Sequence, residues 1–268
     1  MKEKILLFIP MYNCEKQIPR VLGQLTDEVC SYISEVIVVN NRSTDNGEEA
    51  VIQYLKENKP PVKISLLRND ENYGLGGSHK VAFQYALDNN FDYVIILHGD
   101  DQGRIADFLP LLKSGNYKDY DCCLGARFMK GSKLQGYSKL RVFGNYIFNF
   151  LFSVVVRNEI KDLGSGLNLY KISTLSSKYF MKYPDTLYFN DLMILASCFY
   201  KQKMLFYPIS WREEDQVSNN KLLSFSMALL KMLFNYIKNP GKYLGSDLRN
   251  KNIDSYTAKI VYKTEELQ

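Results

Sequence analysis

The sequence predicts an α/β fold with a mostly parallel sheet, and two observations carry the prediction. Strand-like and helical patterns alternate through the first hundred residues, and the strand-like runs are continuously apolar rather than alternating. Continuous apolarity is typical of parallel strands whose two faces are both covered by helices. Ligands of such sheets bind beyond the carboxyl ends of the strands. We therefore expect functional residues in the loops that follow the strands.

The elements of the first half follow from these patterns in chain order. Strands are predicted at residues 5–9, 35–39, 62–67 and 93–97, and helices at 15–32, 46–57 and 76–88. Each strand is followed by a polar cluster, at residues 10–13, 40–45, 68–77 and 98–102. One such cluster is explained equally well by turn-forming Asn, Asp and Gly. Four in succession favour a single crevice that all four loops line.

The regularity loosens after Gln102, where we predict a second half that closes the crevice. It holds a strand near residues 122–127, a helical run at 192–200, and two apolar stretches at 142–156 and 222–237. Both stretches fall short of the roughly 20 apolar residues that a membrane-spanning helix needs, so neither is expected to cross a bilayer. Lys221, Lys231 and Lys238 suit the second stretch to a membrane interface or to packing as a docking helix. The tail from Gly241 is predicted to be weakly ordered.

Composition narrows the class of protein. The 268 residues are 46% hydrophobic, which supplies the core of one large α/β domain or two packed halves. The net charge of +5 is mild and no compact basic run occurs, which disfavours a nucleic-acid partner. The five scattered cysteines indicate neither a zinc site nor a disulfide framework, and they suit a reducing compartment. The first apolar run is too short for a signal peptide, so we expect no export.

Asp100-Asp101-Gln102, directly after the strand at 93–97, is the main candidate for chemistry. Carboxylate and amide oxygens are ligands that Mg²⁺ or Mn²⁺ accepts, and a diphosphate would complete the coordination. Such a cation neutralises charge on a leaving nucleoside diphosphate. Acidic pairs are also common in surface turns, so the run alone leaves that explanation open.

Four motifs carry a resemblance to a known family. They are Ile9-Pro10-Met11-Tyr12-Asn13, Val38-Val39-Asn40-Asn41-Arg42-Ser43-Thr44-Asp45, Asn72-Tyr73-Gly74-Leu75-Gly76-Gly77 and His98-Gly99-Asp100-Asp101-Gln102. In order and spacing they resemble family 2 glycosyltransferases, and most closely polyprenyl-phosphate sugar synthases of the dolichol-phosphate-mannose type. The likeness continues over about residues 5–221, through Gly125-Ala126-Arg127, Arg141, Asp162 to Gly166, Asn190-Asp191 and Trp211-Arg212.

The resemblance implies a GT-A, Rossmann-like fold with a C-terminal helical extension. Residues 1–115 would form the half that binds a nucleotide-diphosphate sugar, and residues 116–220 the acceptor-binding half of the same domain. Residues 221–268 would form an amphipathic helix and the weakly ordered tail. A divalent cation, Mg²⁺ or Mn²⁺, and attack at the anomeric carbon with inversion of configuration are also implied.

The resemblance assigns the donor-binding positions. They are Pro10, Tyr12, Asn13, Asn41 and Asp45 around the base and ribose, Gly74, Gly76 and Gly77 in a loop whose backbone would approach the donor, and Asp100. By the same resemblance, Tyr12 would offer a stacking surface for the base. Asn41 stands where the family usually has Asp, which leaves the identity of the base open. The glycines are also explained by a tight turn before a helix.

The metal motif departs from the family's usual Asp-x-Asp-x-Gln pattern. His98 stands at the first position, Asp100 at the second and Gln102 at the last. By resemblance Asp100 is the principal metal ligand and Gln102 the next, with Asp101 supporting them. His98 could bind Mn²⁺, hydrogen-bond a phosphate or support the loop.

Four positions resemble the acceptor-phosphate site of the prenyl-phosphate enzymes: Arg127, Arg141, Ser165 and Arg212. Guanidinium groups suit bidentate phosphate binding. The arginines are equally explained by ion pairs with Asp119 or Glu213.

Asp191 matches the acidic position from which many family members draw a general base, and with Asp100 it is a candidate catalytic residue. A hydroxyl acceptor must lose a proton, whereas a phosphate acceptor is already anionic. Asn190 or Asp191 could instead cap the helix that follows.

The sequence therefore favours transfer of a sugar to a polyprenyl phosphate or lipid-linked glycan by a cytoplasmic enzyme that is peripheral at the inner membrane face. Transfer to a polysaccharide or soluble hydroxyl in cell-surface glycan synthesis is the alternative. A non-catalytic nucleotide-sugar-binding protein is a second alternative, because His98 and Asn41 depart from the family's usual residues. A sugar-phosphate nucleotidyltransferase fits poorly, because residues 10–15 lack the glycine-rich basic loop expected there. The sugar, the base and the oligomeric state stay open.

Overall fold

The computed structural model describes residues 3–213 and 222–264. The strands are β1 (Ile5–Met11), β2 (Glu35–Asn40), β3 (Ile64–Asn69), β4 (Tyr93–Leu97), β5 (Cys122–Ala126), β6 (Lys133–Gln135), β7 (Leu167–Lys171), β8 (Met204–Pro208), β9 (Ser210–Arg212) and β10 (Ala258–Lys263). The helices are α1 (Ile18–Leu22), α2 (Asp27–Cys30), α3 (Gly47–Asn58), α4 (Gly74–Asp88), α5 (Leu109–Ser114), α6 (Lys139–Val156), α7 (Phe189–Phe199), α8 (Leu222–Lys238) and α9 (Pro240–Gly245).

An eight-stranded sheet in the order β10-β3-β2-β1-β4-β7-β5-β8 organises the molecule. Strands β3, β2, β1 and β4 run parallel to one another, as the continuous apolar runs predict. The chain is buried throughout β1, β2 and β4, with a hydrophobic cluster on each face of the sheet. The predicted α/β class with a mostly parallel sheet is confirmed.

The antiparallel strand β7 brings the second half of the chain to the carboxyl end of β4. Leu97, the last residue of β4, pairs with Leu167, the first residue of β7. The backbone N–H of His98 then donates to the carbonyl of Gly166 at 3.3 Å. The turn at residues 162–166 therefore lies beside the loop at residues 98–102.

Two predicted elements differ from the structure. The single helix expected at residues 15–32 is split into α1 and α2, because Thr26 adopts an extended conformation and its hydroxyl accepts from the N–H of Val29. The strand expected at residues 62–67 is Ile64–Asn69.

The tail from Gly241 is also different from the prediction. It forms α9 and then β10, which pairs antiparallel with β3. Without β10, β3 would expose a row of unpaired backbone groups at the sheet edge. The prediction of weak order was therefore wrong for residues 241–264, because tertiary pairing outweighs a polar composition. Residues 265–268 lie outside the described part of the chain.

The two apolar stretches form α6 and α8. At 18 residues, α6 is longer than predicted and passes the length and composition test for a membrane-crossing helix. The argument from length therefore does not exclude a crossing helix at α6. Asn149 and Phe152 of α6 are buried against the domain, so the helix has one face on the protein and the other exposed. Lys221, the first of the three lysines noted above, lies outside the described residues.

Candidate active site

A cavity of about 400 Å³ opens at the carboxyl ends of β1, β2 and β4. Its lining comes from five sequence-distant segments and comprises Pro10, Met11, Tyr12, Cys14, Asn41, Asn72, Gly74, Leu75, Ser78, His98, Gly99, Asp100, Thr186 and Leu187. We call it the sheet-edge cavity. A larger cavity of about 570 Å³ lies by α5 and β8, but Asp119 is the only charged residue in its lining, and none of the predicted site residues lines it.

The sheet-edge cavity brings together Pro10, Tyr12, Asn41, Gly74 and Asp100 of the predicted donor set, with His98. Asn13, Asp45, Gly76, Gly77 and Gln102 are outside its lining. Thr186 and Leu187 were not predicted, because they belong to an irregular segment without a periodic pattern or a motif.

The hydrogen bonds of Asn41 explain why an amide stands where the family usually has Asp. Its Oδ1 accepts from the N–H of Tyr73 at 2.8 Å and from the Nδ2 of Asn69 at 2.9 Å. Its Nδ2 donates to the Oδ1 of Asn72 at 2.8 Å. A carboxylate could accept the first two bonds but could not donate the third. The amide therefore fixes the turn that leads into α4.

Asn13 and Asp45 join the loops after β1 and β2. Asn13 has a left-handed backbone (φ 52°), and its Oδ1 accepts from the N–H of Thr44 at 2.8 Å. Asp45 accepts from the N–H of Glu15 at 2.9 Å and from the N–H of Gly47 at 3.1 Å. These contacts hold the rim of the cavity beside Tyr12, whose side chain is exposed.

The glycines at the start of α4 allow close packing. A Cβ on Gly74, where φ is +73°, would lie 2.3 Å from the carbonyl oxygen of Asp185, and one on Gly76 would lie 2.3 Å from that of Pro184. The N–H of Gly76 donates to the carbonyl of Asp185 at 2.9 Å. Gly74 and Gly76 therefore place the first turn of α4 against the 184–185 segment, and Gly74 also lines the cavity.

The carboxyl of Asp100 has a raised pKa and lacks a cationic partner among the described residues. Burial raises its pKa to about 6, although a bond from the N–H of Gln102 at 3.2 Å opposes the shift. Across residues 3–213 and 222–264, no lysine or arginine forms an ion pair with it. A half-buried carboxyl without a protein cation is available to a ligand cation.

Asp101 is committed to the protein instead. It has φ +59° and is 4% exposed. Its carboxylate accepts from the Nε of Arg20 at 2.6 Å and from the Nε2 of Gln24 at 3.0 Å, and it forms an ion pair with Arg212. This network fixes the backbone between Asp100 and Gln102.

His98 is held as a neutral imidazole. Burial, and then the charge of Arg127, lower its pKa to about 4. Its Nε2 is buried, and no group in the described part of the chain bonds to it. A Cβ on Gly166 would lie 2.8 Å from the ring, so the glycine makes room for the histidine.

These residues provide one charged ligand for a divalent cation. The described residues contain no group of three or more His, Cys, Asp or Glu side chains that could hold a metal ion. Mg²⁺ is commonly held by one or two carboxylates together with substrate phosphates. A single carboxylate therefore suits a cation that is shared with a diphosphate, but not a cage made by the protein alone.

Each of the three predicted acceptor arginines already has a carboxylate partner. Arg127 is 7% exposed and bonds the two oxygens of Asp162 at 2.7 and 2.8 Å. Arg141 pairs with Glu213, as the ion-pair alternative expects, and Arg212 pairs with Asp101. Asp119 is not the partner of Arg127. No sequence pattern distinguishes Asp162 from the other acids as the partner of Arg127, although Asp162 lies in a motif already singled out.

Ser165 and Asp191 are buried beside this group. The Ser165 hydroxyl is 3.2 Å from both the N–H and the carbonyl of Leu167, so it is engaged within its own turn. Asp191 is 3% exposed, and burial followed by the charge of Asp162 raises its pKa well above the ordinary value. The N-cap of α7 is Tyr188, which places both Asn190 and Asp191 inside the first turn; the capping explanation is therefore wrong.

The fold is that of solved GT-A glycosyltransferases. A structure of glucosyl-3-phosphoglycerate synthase from Mycobacterium tuberculosis with Mn²⁺, UDP-glucose and glycerol 3-phosphate superposes with a TM-score of 0.58 at 12% identity, covering 91% of this chain and 81% of that one. The likeness defines an α/β glycosyltransferase architecture.

The chain belongs to Glycosyl transferase family 2, whose sequence profile matches residues 7–177. It is 25% identical over 241 residues to an uncharacterised protein of Methanocaldococcus jannaschii, covering 86% of this chain and 99% of the relative. It is also 25% identical over 173 residues to undecaprenyl-phosphate mannosyltransferase of Micrococcus luteus, covering 64% and 68%. The chain is therefore a glycosyltransferase, and its relatives include enzymes named for polyprenyl-phosphate acceptors.

Proposed function

We propose that the chain transfers a sugar, with inversion, from a nucleotide-diphosphate sugar to a polyprenyl phosphate or lipid-linked glycan. The observation that carries the proposal is the sheet-edge cavity, where Asp100 has a raised pKa and no cationic partner among the described residues. A diphosphate with its cation would supply the missing positive charge. The names of the polyprenyl-phosphate relatives support the acceptor class.

The donor would occupy the cavity between the loops after β1, β2 and β4. Pro10, Tyr12, Asn13, Asn41 and Asp45 would surround the base and ribose. The exposed ring of Tyr12 offers a stacking face, and the cluster around Asn41 keeps the rim rigid. Residues 1–115 are then the donor half and residues 116–220 the acceptor half.

Asp100, Gln102 and His98 would hold Mg²⁺ or Mn²⁺ together with the diphosphate. The cation would stabilise charge on the leaving nucleoside diphosphate. Because His98 is neutral, the site would carry one negative charge fewer than the family's usual motif. We therefore expect the cation to bind weakly without nucleotide and much more strongly with it.

An acceptor phosphate would be bound by Arg127, Arg141, Arg212 and the turn at Ser165. Arg141 and Arg212 are more accessible than Arg127, since their side chains are 26% and 29% exposed against 7%. A phosphate could therefore replace Glu213 as the partner of Arg141, or bind Arg141 together with Glu213. The positive charge of the more buried Arg127 would add to the attraction.

The raised pKa of Asp191 favours a phosphate acceptor over a hydroxyl acceptor. A higher pKa moves the carboxyl towards its protonated form, which cannot accept a proton. A phosphate oxygen is already anionic and needs no base. Transfer to a polysaccharide or soluble hydroxyl would require a ligand that first lowers the pKa of Asp191.

The exposed faces of α6 and α8 would rest on the cytoplasmic surface of the membrane. Each presents a stripe of apolar side chains, namely Leu140, Phe143, Ile147, Phe150 and Val154 on α6, and Leu223, Met227, Leu230, Phe234 and Ile237 on α8. Neither helix contains Asp or Glu, while Lys139, Lys231 and Lys238 are cationic. Apolar stripes with basic flanks are typical of interfacial helices on anionic lipid.

A thermal-shift panel of UDP-, GDP-, CDP- and TDP-sugars, each with and without Mn²⁺, tests the donor assignment. A ligand that binds only the native state raises the melting temperature. A ligand concentration of 100 times Kd increases the free energy of unfolding by about 2.7 kcal/mol. We expect one base to stabilise the protein, and only with the cation. No stabilisation by any of the four would contradict the proposal, and binding without transfer would favour the non-catalytic alternative.

A further inference from the structure

A fully buried lysine lies behind one wall of the sheet-edge cavity. The side chain of Lys80, in α4, is 0% exposed. Its ammonium donates to the carbonyl of Tyr183 at 2.6 Å, to Oδ1 of Asp185 at 2.7 Å and to the hydroxyl of Tyr256 at 3.0 Å. All three N–H donors of the ammonium are therefore used, which a buried charge requires.

Tyr256 belongs to the C-terminal strap, which we define as residues 246–264. Its hydroxyl accepts from Lys80 and donates to Oδ1 of Asp185 at 2.8 Å, and its ring packs edge-on against Tyr73 with centroids 5.3 Å apart. The strap is fixed on both sides of this contact. The N–H of Leu248 donates to the carbonyl of Lys182 at 2.8 Å, and β10 pairs with β3.

Asp185 lies in the segment that supplies the wall. Residues 183–188 form no strand or helix, and Thr186 and Leu187 of this segment line the cavity. An irregular segment has no ladder of backbone bonds to fix it. Its place depends on the bond from Gly76 to the Asp185 carbonyl and on the contacts of Tyr183 and Asp185 with Lys80 and Tyr256.

We propose that Lys80 and Tyr256 are positioning residues that hold the 183–187 wall in the shape that admits the donor. The strap thereby connects the C-terminal end of the described chain to the cavity, without any strap residue lining it. Both the wall and the strap lie beyond residues 7–177, the part that the family profile matches. The nature of the occupant rests on the proposed function, but the bracing itself does not.

Tyr256→Phe tests the bracing, because it removes one hydroxyl and keeps the ring against Tyr73. We expect amide hydrogen exchange of residues 183–188 to become about tenfold faster, since the lost hydroxyl bonds two charged groups. Donor Kd, measured by calorimetry, should rise about tenfold, and kcat should change by less than about twofold, since a positioning defect in the wall acts on binding.

Thr264→Val is the matched control within the same strap. It removes the bond from the N–H of Ile64 to the Thr264 hydroxyl, 3.0 Å long, at the far end of β10. It should lower the melting temperature while leaving exchange of residues 183–188 and donor Kd unchanged. A general loss of stability would instead affect both variants alike.

Two outcomes would overturn the proposal. One is wild-type exchange of residues 183–188 in Tyr256→Phe, and the other is an equal acceleration in Thr264→Val. If the wild-type protein binds no nucleotide sugar, the proposed function fails, while the exchange rates still decide whether the strap holds the wall.

Discussion

Asp100 and two arginines lie at the carboxyl edge of the sheet, and they differ in whether the described part of the protein supplies an oppositely charged partner. Asp100 lies in the cavity with a pKa raised to about 6 and no cationic partner in the described part of the chain. The arginines beside it are already paired, Arg127 with Asp162 and Arg212 with Asp101. The carboxyl of Asp100 is therefore open to an external cation, whereas the charge of each arginine is already balanced by a carboxylate of the protein.

Under the proposed function, this difference would let one site bind two anionic substrates without attracting other anions indiscriminately. Three free guanidinium groups in one crevice would bind any anion and would repel one another. Carboxylate partners fix each guanidinium and reduce the local field until a ligand competes for it. Under the proposed function, the donor side would obtain its positive charge only with the cation. The following predictions test that contrast.

Asp100→Asn should give the largest effect. Removing the one charged ligand available to a cation should reduce sugar transfer by about 100-fold or more under saturating Mn²⁺. Steady-state transfer assays measure this, and the exposed Asp119→Asn serves as the matched control. Parental rates in Asp100→Asn would show that the chemical centre lies elsewhere.

Asp162→Asn should have the largest effect on stability. It leaves the buried Arg127 guanidinium without its counter-charge, which costs about 3–5 kcal/mol. Glu213→Gln, at the more exposed Arg141 pair, should cost about 1 kcal/mol or less. Urea unfolding compares the two, and equal costs would contradict the distinction between a buried and an accessible arginine.

Phe143→Ser with Phe150→Ser should weaken binding to anionic vesicles by about tenfold or more, because two large side chains no longer enter the lipid. Vesicle sedimentation measures the effect, with Ile260→Ser as a control because that residue is 58% exposed on β10 rather than on α6. Transfer to a short-chain, water-soluble prenyl phosphate should be unchanged. Equal vesicle binding by all variants would remove the membrane surface from the account.

Asp191→Asn should change the pH dependence of stability. Because the folded-state pKa of Asp191 is raised, its contribution is complete below the unfolded pKa and is lost as pH rises through the folded pKa. The variant should therefore gain stability relative to wild type as the pH rises above the unfolded pKa of about 3.9. Melting temperatures across that range measure it. Full transfer activity in the variant would favour a phosphate over a hydroxyl acceptor.

Asn41→Asp should have the smallest effect. The carboxylate keeps the bonds from Tyr73 and Asn69 but loses the bond to Asn72, at a cost of about 1 kcal/mol. Urea unfolding measures the cost. A gain in stability would show that the amide is not selected by this hydrogen-bond pattern.

Sequence patterns predicted the parallel strands and the loops that form the cavity, because strand burial and strand-end position are local properties. They could not predict which acid would pair with each arginine, since Asp162 reaches Arg127 only through the antiparallel placement of β7. The strap was missed for a similar reason. Its polar composition resembles that of a loose tail, and its order comes from β3 and from Lys80, far away in the chain.

Asn13, Asp45 and Gly76 show a second limit. The motifs predict that all three bind the donor, but motifs do not distinguish a residue that touches a ligand from one that holds the loop. In the structure Asn13 and Asp45 bond neighbouring loops, and Gly76 permits close packing of α4.

The most direct test of the central claim is transfer of labelled sugar from the nucleotide sugar selected by the thermal-shift panel to a polyprenyl phosphate, with Mn²⁺ or Mg²⁺ present and absent. The account predicts a cation-dependent glycosyl-phosphate lipid of inverted anomeric configuration, absent with Asp100→Asn. Cation-independent transfer, retained configuration, or nucleotide-sugar binding without any transfer would contradict it.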